Sequence, residues 1–266
     1  LVIRHDLPFG FNYIYAPRPQ SLNKDFFGAA EKYAREQGSI FLKIDLDSFG
    51  MEALADGRPA SSLQSRRAAV ADCRRNEDDL FQAVHPKTRY NIRVAMRHGV
   101  NVARFSGKEA EKVFDSFWEI MLETAKRDSF FLHPEKHYRA LFEVGSKNFK
   151  NELWFAERRG EVIAAAIVNW FSPASTVTYL HGASSSAHRE VMAPHLLHWE
   201  IIREVRRRGF SQYDLGGVDE ARWPGLTRFK NGFGGATLKF PESRDFVFRP
   251  ALYWLYRFQH NLRYFA

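Results

Sequence analysis

The 266-residue sequence contains a single cysteine, Cys73. One thiol cannot close an internal disulfide, and its isolation fits a reducing compartment. Long apolar runs are also missing: none approaches the roughly 20 residues that a membrane-spanning helix needs. No G-x-G-x-x-G opens a helix after a strand and no G-x-x-x-x-G-K-[ST] occurs, which disfavours nucleotide folds of those kinds. No H-E-x-x-H or paired-cysteine motif marks a zinc site. His181, His188, His195 and His198 lie close in sequence, but no carboxylate or thiol stands at useful spacing, so no metal is expected. No G-x-S-x-G elbow is present, and Ser184-Ser185-Ser186 reads as a loop. Cys73 sits in an arginine-rich segment that can lower a thiol pKa, yet nothing marks it as catalytic.

What is present is the balance of a globular protein: 45% hydrophobic and 26% charged residues, with an aromatic content of 15% that makes a ring-rich core. The length suits one large domain or two small ones. The net charge of +8 favours an anionic partner such as nucleic acid, a phosphorylated substrate or a membrane surface, without choosing among them. Basic residues spread over wet faces would give the same total. The chain opens at Leu1, close to an expected strand, so an upstream part is expected.

Short strands are expected at 1–5 and 13–16. Arg18 between Pro17 and Pro19 should be held extended, where an arginine suits an anion. A helix is expected over 21–37, with Ser21 or Asn23 as cap and Gly38 as stop, then a strand over 39–46. Asp45 and Asp47 at its end read as one structural and one solvated carboxylate. Residues 50–65 read as a loop. Two helices follow, 77–84 and 86–98, with Pro86 at a first helical position and Gly99 as stop. Arg89, Arg93 and Arg97 share one face at i, i+4, i+8, where like charges repel and an anion would relieve them.

Beyond Gly99 come a strand at 100–105, a helix over 108–126 and another from Pro134 to Val144. Strands at 151–156 and 161–170 are joined by a tight hairpin at Arg158-Arg159-Gly160, and a third strand spans 175–182. A helix over 194–208 packs through Leu196, Trp199, Ile202 and Val205 and exposes Arg203, Arg206, Arg207 and Arg208. Strands at 212–215 and 236–240 precede a final aromatic helix, 250–265, in which Leu252, Leu255, Tyr256, Gln259 and Leu262 face a domain. Its Arg249, Arg257 and Arg263 could meet phosphate head groups.

The organising stretch is Arg228-Phe229-Lys230-Asn231-Gly232-Phe233-Gly234-Gly235. Glycines let backbone approach a ligand, the phenylalanines anchor the loop, and the lysine can hold an anion or donate a proton. A glycine-rich turn with one solvated lysine is the plainer reading. The strand and helix order describes an α/β (α+β) protein with mixed sheets. Three antiparallel strands, a helix and a returning strand suggest the N-acetyltransferase-like (GNAT) type. Residues 186–194 lack the Gln/Arg-x-x-Gly-x-Gly/Ala turn that holds coenzyme A there, which argues for another donor.

The sequence resembles the Fem aminoacyltransferases (FemA, FemB and FemX type), which build peptidoglycan cross-bridges. The resemblance rests on ordered segments: Tyr15-Ala16-Pro17-Arg18-Pro19; His85–Ala95 with Gly99-Val100; Glu123–Phe130; Tyr179–Ser184; Tyr213–Gly217; and Gly225–Gly234. It implies two GNAT-like domains; the long coiled-coil arm of some members is not expected in this sequence. The first would be residues 1–99, completed by the terminal helix at 242–266. The second, 100–241, would carry the catalytic loop. It implies transfer of an amino acid from aminoacyl-tRNA to the stem-peptide side-chain amine of lipid II or of UDP-MurNAc-pentapeptide, with no cofactor. It places Lys230 beside the developing oxyanion, supported by Phe229. Arg18 and Arg127 would hold acceptor phosphates, and Tyr179, Phe131 and Gly182 would line the acceptor site. Arg89, Arg93, Arg97 and Arg206–Arg208 are the tRNA candidates. No general base is assigned, since Asp128 and Asp214 read as structural. The expected setting is cytoplasmic, as a monomer, with peripheral contact at the inner face of the membrane. Two other readings stand beside it: a GNAT-like N-acyltransferase acting on a polysaccharide or protein amine, and a non-catalytic RNA-binding module.

Overall fold

The computed structural model describes residues 1–19, 22–47 and 57–264, with side chains through residue 258. The chain divides into two compact units: Leu1–Arg67 together with Lys239–Ala266, and Ala68–Leu238.

In chain order the elements are β1 (Ile3–Asp6), β2 (Asn12–Pro17), α1 (Lys24–Glu36), β3 (Phe41–Asp45), β4 (Arg58–Ala60) and β5 (Arg67–Asp72). Then come α2 (Glu77–Ala83), α3 (Pro86–Arg97), β6 (Asn101–Ser106), α4 (Lys108–Lys112), α5 (Phe114–Asp128) and α6 (Glu135–Glu143). The chain continues through β7 (Phe149–Arg158), β8 (Glu161–Phe171), β9 (Thr176–Ser184), α7 (Ala193–Arg207) and β10 (Gln212–Gly217). It ends with α8 (Pro224–Asn231), β11 (Ala236–Lys239), β12 (Ser243–Val247) and α9 (Pro250–Tyr264).

The first unit is a five-stranded sheet in the order β1-β2-β3-β12-β4. Only β2 and β3 run parallel, and α1 is the crossover between them. Asn23 caps α1, its Oδ1 accepting from the Phe26 N–H at 2.8 Å. Alternation along β2 and β3 sends Ile14, Ala16, Leu42 and Ile44 to a cluster with Ala30 and Ala34 of α1. Tyr13, Tyr15 and Phe41 join a second cluster with Tyr253 of α9. Asp45 is buried and accepts from the Tyr15 hydroxyl at 2.8 Å, whereas Asp47 is exposed, as read from the sequence.

The second unit is a seven-stranded sheet, β11-β5-β10-β9-β8-β7-β6. Strands β6 to β9 form an antiparallel meander, and α7 then carries the chain to β10, which lies parallel to β9. Leu153, Phe155 and Ile167 pack with Phe117 and Ile120 of α5 and Tyr138 of α6. Their neighbours Trp154, Ala156 and Val168 pack with Leu196, Trp199 and Ile202 of α7 and Ile92 of α3. The β7–β8 turn is the expected hairpin, with Arg159 and Gly160 both at positive φ (53° and 82°), as a two-residue turn of right-handed strands requires.

Several expectations change. The boundary expected at Gly99 falls inside the second unit, because α3 packs on α7. The 108–126 helix is two helices that meet at Val113. Strands β4, β5 and β12 had not been read as strands. Residues 224–231 form a helix rather than a loop. Arg18 is not extended: it sits at φ 38°, its backbone N–H bonded to the Asp45 carbonyl at 3.1 Å. Cys73 is buried, and burial pushes its thiol up to about 12, so the nearby arginines do not activate it. The cap candidate Ser21, loop residues 50–56 and the side chains of Gln259, Leu262 and Arg263 lie outside the described residues. Among the described residues no helix exceeds 15 residues, so a long helical arm is not part of this structure. None of them is long and apolar enough to cross a membrane.

Candidate functional site

The site forms where β9 and β10 part. Their parallel pairing runs from Gln212↔Thr176 to Asp214↔Thr178 and ends there. Just beyond, β9 bulges between Tyr179 and His181 against β8. A bulge inserts an unpaired residue and re-aims the side chains around it. Tyr179 thereby packs edge-on against His198 of α7, while His181 packs against Tyr138 of α6.

Helix α8 fills the gap. Its entry is stitched by the Asp219 side chain, which accepts from the Ala221 and Arg222 N–H groups at 3.0 Å each, and by the Thr227 hydroxyl, which accepts from the Asp219 N–H at 2.9 Å. Its exit rests on glycines. A Cβ at Gly232 would overlap the Thr88 hydroxyl, one at Gly234 the Ala83 carbonyl, and one at Gly235 the Val70 carbonyl. These glycines therefore let the α8 exit approach the Thr88 side chain and the backbone at Ala83 and Val70, not a ligand as the sequence suggested.

Docked this way, Lys230 is 7% exposed, and its Nζ donates to the Gly217 carbonyl at 2.9 Å. It lies 5.7 Å from the centre of the Tyr179 ring. Burial lowers its pKa to about 8, with Asp214 pulling the other way. It remains mostly cationic at neutral pH. The plainer expectation of a solvated lysine is thus replaced by a buried one.

Phe229 stands in a cluster of rings, with His195, His198 and Phe233 at centroid distances of 5.1, 5.3 and 5.3 Å. His198 meets the Tyr213 hydroxyl through Nδ1 at 2.8 Å, and Nε2 of His195 accepts from the Asn91 amide at 3.1 Å. Burial first, then the charge of Lys230, pushes His198 down to about 3; burial pushes His195 to about 4. Both rings are neutral and serve as packing. They are two of the four histidines that lie close in the sequence. Among the described residues no group of three metal-binding side chains forms.

His195 and Phe229 form a wall shared by two cavities. The larger, about 830 Å³, lies between the start of α3 and α8 and is lined by Lys87, Thr88, Asn91, Thr227 and Arg228. The smaller, about 240 Å³, is lined by Thr124, Arg127, Tyr179, Gly182, Ser184 and His198.

Of the residues expected to bind the acceptor, Arg127, Tyr179 and Gly182 come together in the smaller cavity. The fork of Arg127 is already engaged, however. It binds Asp128 through two 2.8 Å contacts and the Ser184 carbonyl at 2.6 Å, so it orders the 184–186 loop rather than presenting an open phosphate clamp. Phe131 is fully exposed and lines neither cavity. Arg18 belongs to the first unit, where its guanidinium lies 3.4 Å from the centre of the Phe240 ring and donates to the Ser65 carbonyl.

The tRNA candidates differ among themselves. Arg89 donates to the Gln82 and Val84 carbonyls at 2.6 and 3.0 Å and closes the end of α2. Arg93 lies over Phe81 and Arg97 over Tyr90, so the three arginines do not act as one row. Arg206 binds the Arg75 carbonyl at 2.9 Å. Arg207 pairs with Glu204, and Arg208 pairs with Glu152 and Glu204.

Three comparisons with known proteins bear on this geometry. A family model described as an acetyltransferase (GNAT) domain matches residues 86–231. The lipid II:glycine glycyltransferase of Staphylococcus epidermidis (strain RP62A) is 24% identical over 319 residues, spanning 88% of this chain and 75% of that protein. Among solved structures, FemX superposes with a TM-score of 0.80 at 19% identity, covering 96% of this chain and 85% of its own. The C-terminal domain of a putative lysylphosphatidylglycerol synthetase from Agrobacterium fabrum gives 0.68 at 13% identity, covering 96% and 83%.

Proposed function

The chain belongs to the acetyltransferase (GNAT) domain family, its resemblance to the Fem type is borne out by its relatives, and from that premise we propose that it is an aminoacyltransferase of peptidoglycan bridge building. It would move an amino acid from aminoacyl-tRNA to the side-chain amine of the stem peptide of a peptidoglycan precursor, lipid II or its UDP-linked form. What carries the reading is Lys230: a buried cation at the parting of β9 and β10, hydrogen-bonded to a backbone carbonyl and facing Tyr179.

In the reaction the neutral amine attacks the ester carbonyl of the aminoacyl group. The N–C bond forms, the C–O bond to the ribose breaks, and the proton leaving the amine balances the one taken up by the ribose oxygen. Negative charge develops on the carbonyl oxygen in between. A fixed cation in a water-poor site stabilises that charge more than it stabilises the ester. Lys230 would supply that cation from beside Phe229, although its side chain lines neither cavity and already donates to the Gly217 carbonyl. The larger cavity, with Lys87 and Arg228 on its lining, suits the anionic donor end. The smaller, with Tyr179 over Gly182 and the Asp128 carboxylate on its lining, suits the acceptor amine. Phe229 and His195 would keep the two in register. A lipid-linked acceptor would bring the protein to a membrane surface. Helix α9 exposes Trp254, Phe258 and also Leu255, which the sequence had turned toward a domain, with Arg58 over the Trp254 ring, a composition suited to an anionic interface.

The test is transfer of radiolabelled amino acids from a mixed aminoacyl-tRNA pool to lipid II and to UDP-MurNAc-pentapeptide, side by side. Label entering either acceptor is the expected result. A folded protein that labels neither, or that takes its acyl group from an acyl thioester instead, would overturn the reading.

A further inference from the structure

The proposed reaction leaves two adjacent cavities of the second unit unused. One, about 490 Å³, is lined by Arg104, Lys147, Lys150, Trp170, Arg207 and Arg208. The other, about 550 Å³, is lined by Arg104, Trp154, Arg203, Glu204, Arg206 and Arg207. Arg104 and Arg207 belong to both, so the two form one strip across the C-terminal end of α7.

The strip is oversupplied with positive charge. Seven cations, Arg104, Lys147, Lys150, Arg203, Arg206, Arg207 and Arg208, line it against four carboxylates: Glu77, Glu200 and Glu204 on the lining, and Glu152 paired with Lys150 and Arg208. Arg104 is held below the usual arginine range by burial and then by the repulsion of Arg208 and Arg207. The surface is short of negative charge, which a phosphate supplies. The carbonyls at the end of α7 disfavour an anion, but Arg206, Arg207 and Arg208 are placed to offset them.

Position narrows the ligand. His195, on the wall of the reaction cavities, lies near the start of α7, and Arg207 at its end. Twelve residues at 1.5 Å rise put the strip about 18 Å along the helix axis from that wall. Two basic cavities side by side suit a repeating anion better than a single one.

We propose that this strip binds the phosphate backbone of the RNA donor, away from its reactive 3′ end. The proposal rests on the aminoacyl-tRNA reading above. It adds Arg104, Lys147 and Lys150, which the sequence had not marked, and assigns Arg208 chiefly to the internal pairing that holds the strip.

The test is binding of deacylated tRNA, followed by fluorescence anisotropy across a salt series. The variants are Lys147→Ala/Arg207→Ala in the strip and Lys108→Ala/Lys112→Ala on the exposed face of α4 as a control. The strip variant should bind about tenfold more weakly. Its dependence of log K on log salt should be shallower by roughly 1.5 to 2, as expected for two lost phosphate contacts. The control should match the wild type. Unchanged affinity and slope in the strip variant would overturn the proposal. So would displacement of tRNA by millimolar inorganic phosphate at constant ionic strength, which would mark a small-anion site. Because binding needs no transfer, the two readings separate. A protein that transfers but binds RNA without the strip refutes only the strip. One that binds RNA through the strip but never transfers refutes only the enzyme.

Discussion

The hydroxyl of Tyr179 occupies the space above Gly182 that the side chain of any other residue at 182 would fill. Three positions separate them in sequence, and the bulge in β9 folds one over the other. Gly182 is thus a packing partner of the ring that faces Lys230.

Gly182→Ala should push the Tyr179 ring out of place. Overpacking of this kind costs about 1–3 kcal/mol, read as a lower melting temperature together with slower transfer. In a Tyr179→Ala background the same change should cost almost nothing. A double-mutant cycle without coupling between the two positions would count against this geometry.

Transfer should fall as pH rises through about 8, where Lys230 loses its proton. The stability effect has the opposite sign. Between about 8 and the ordinary lysine range the unfolded chain holds a proton that the folded one does not, so this group's contribution to stability rises with pH. Lys230→Met should lower the single-turnover rate by about 10²–10³, the scale of losing one oxyanion donor. It should also lose the pH dependence of stability across that window. Wild-type rates in this variant would sink the assignment.

The glycines of α8 should separate cleanly. Gly235→Ala would drive a Cβ into the Val70 carbonyl, and a backbone neighbour cannot step aside as a flexible side chain can. A loss of about 2–3 kcal/mol is expected by denaturant unfolding. At Gly225, inside α8, nothing stands within 4 Å of the added Cβ, and alanine should stabilise by about 0.5–1 kcal/mol. Equal costs at the two positions would show that α8 does not dock as described.

In the first unit, Lys43 and Asp245 form an ion pair at 2.8 Å with side chains only 5% and 3% exposed. Asp245 also accepts from the Tyr253 hydroxyl at 2.9 Å, which ties α9 to the sheet. Lys43→Met leaves a buried carboxylate without its cation and should cost about 3–5 kcal/mol. Adding Asp245→Leu should recover much of that loss. If the single variant melts with the wild type, the pair carries no weight in this unit.

The parts legible in the sequence are those whose signal is local. The period of Leu196, Trp199, Ile202 and Val205 marks α7, Asn23 marks the start of α1, and the hairpin is marked by Gly160, which accepts positive φ. What escaped was set by distant partners. β12 looks polar because Ser243 and Asp245 point at Asp45, Lys43 and Tyr253, residues that come from two other parts of the chain. Helix α8 opens with Pro224-Gly225 and closes on Gly232, a composition that reads as a loop until its exit is seen packed on Ala83 and Val70.

The sequence by itself determined the strands of the β6–β9 meander, the apolar faces of the helices, and the ordered segments that place Lys230 beside Phe229. Those depend on neighbours a few residues apart. Only the tertiary structure decided the chemistry of each charge. It buried Lys230 and lowered its pKa, engaged the fork of Arg127 with Asp128 and Ser184, turned Arg208 inward onto Glu152, and left Arg104 among excess cations. A charged side chain's task is set by burial and by which opposite charge reaches it. Those partners come from elsewhere in the chain, so no local pattern records them.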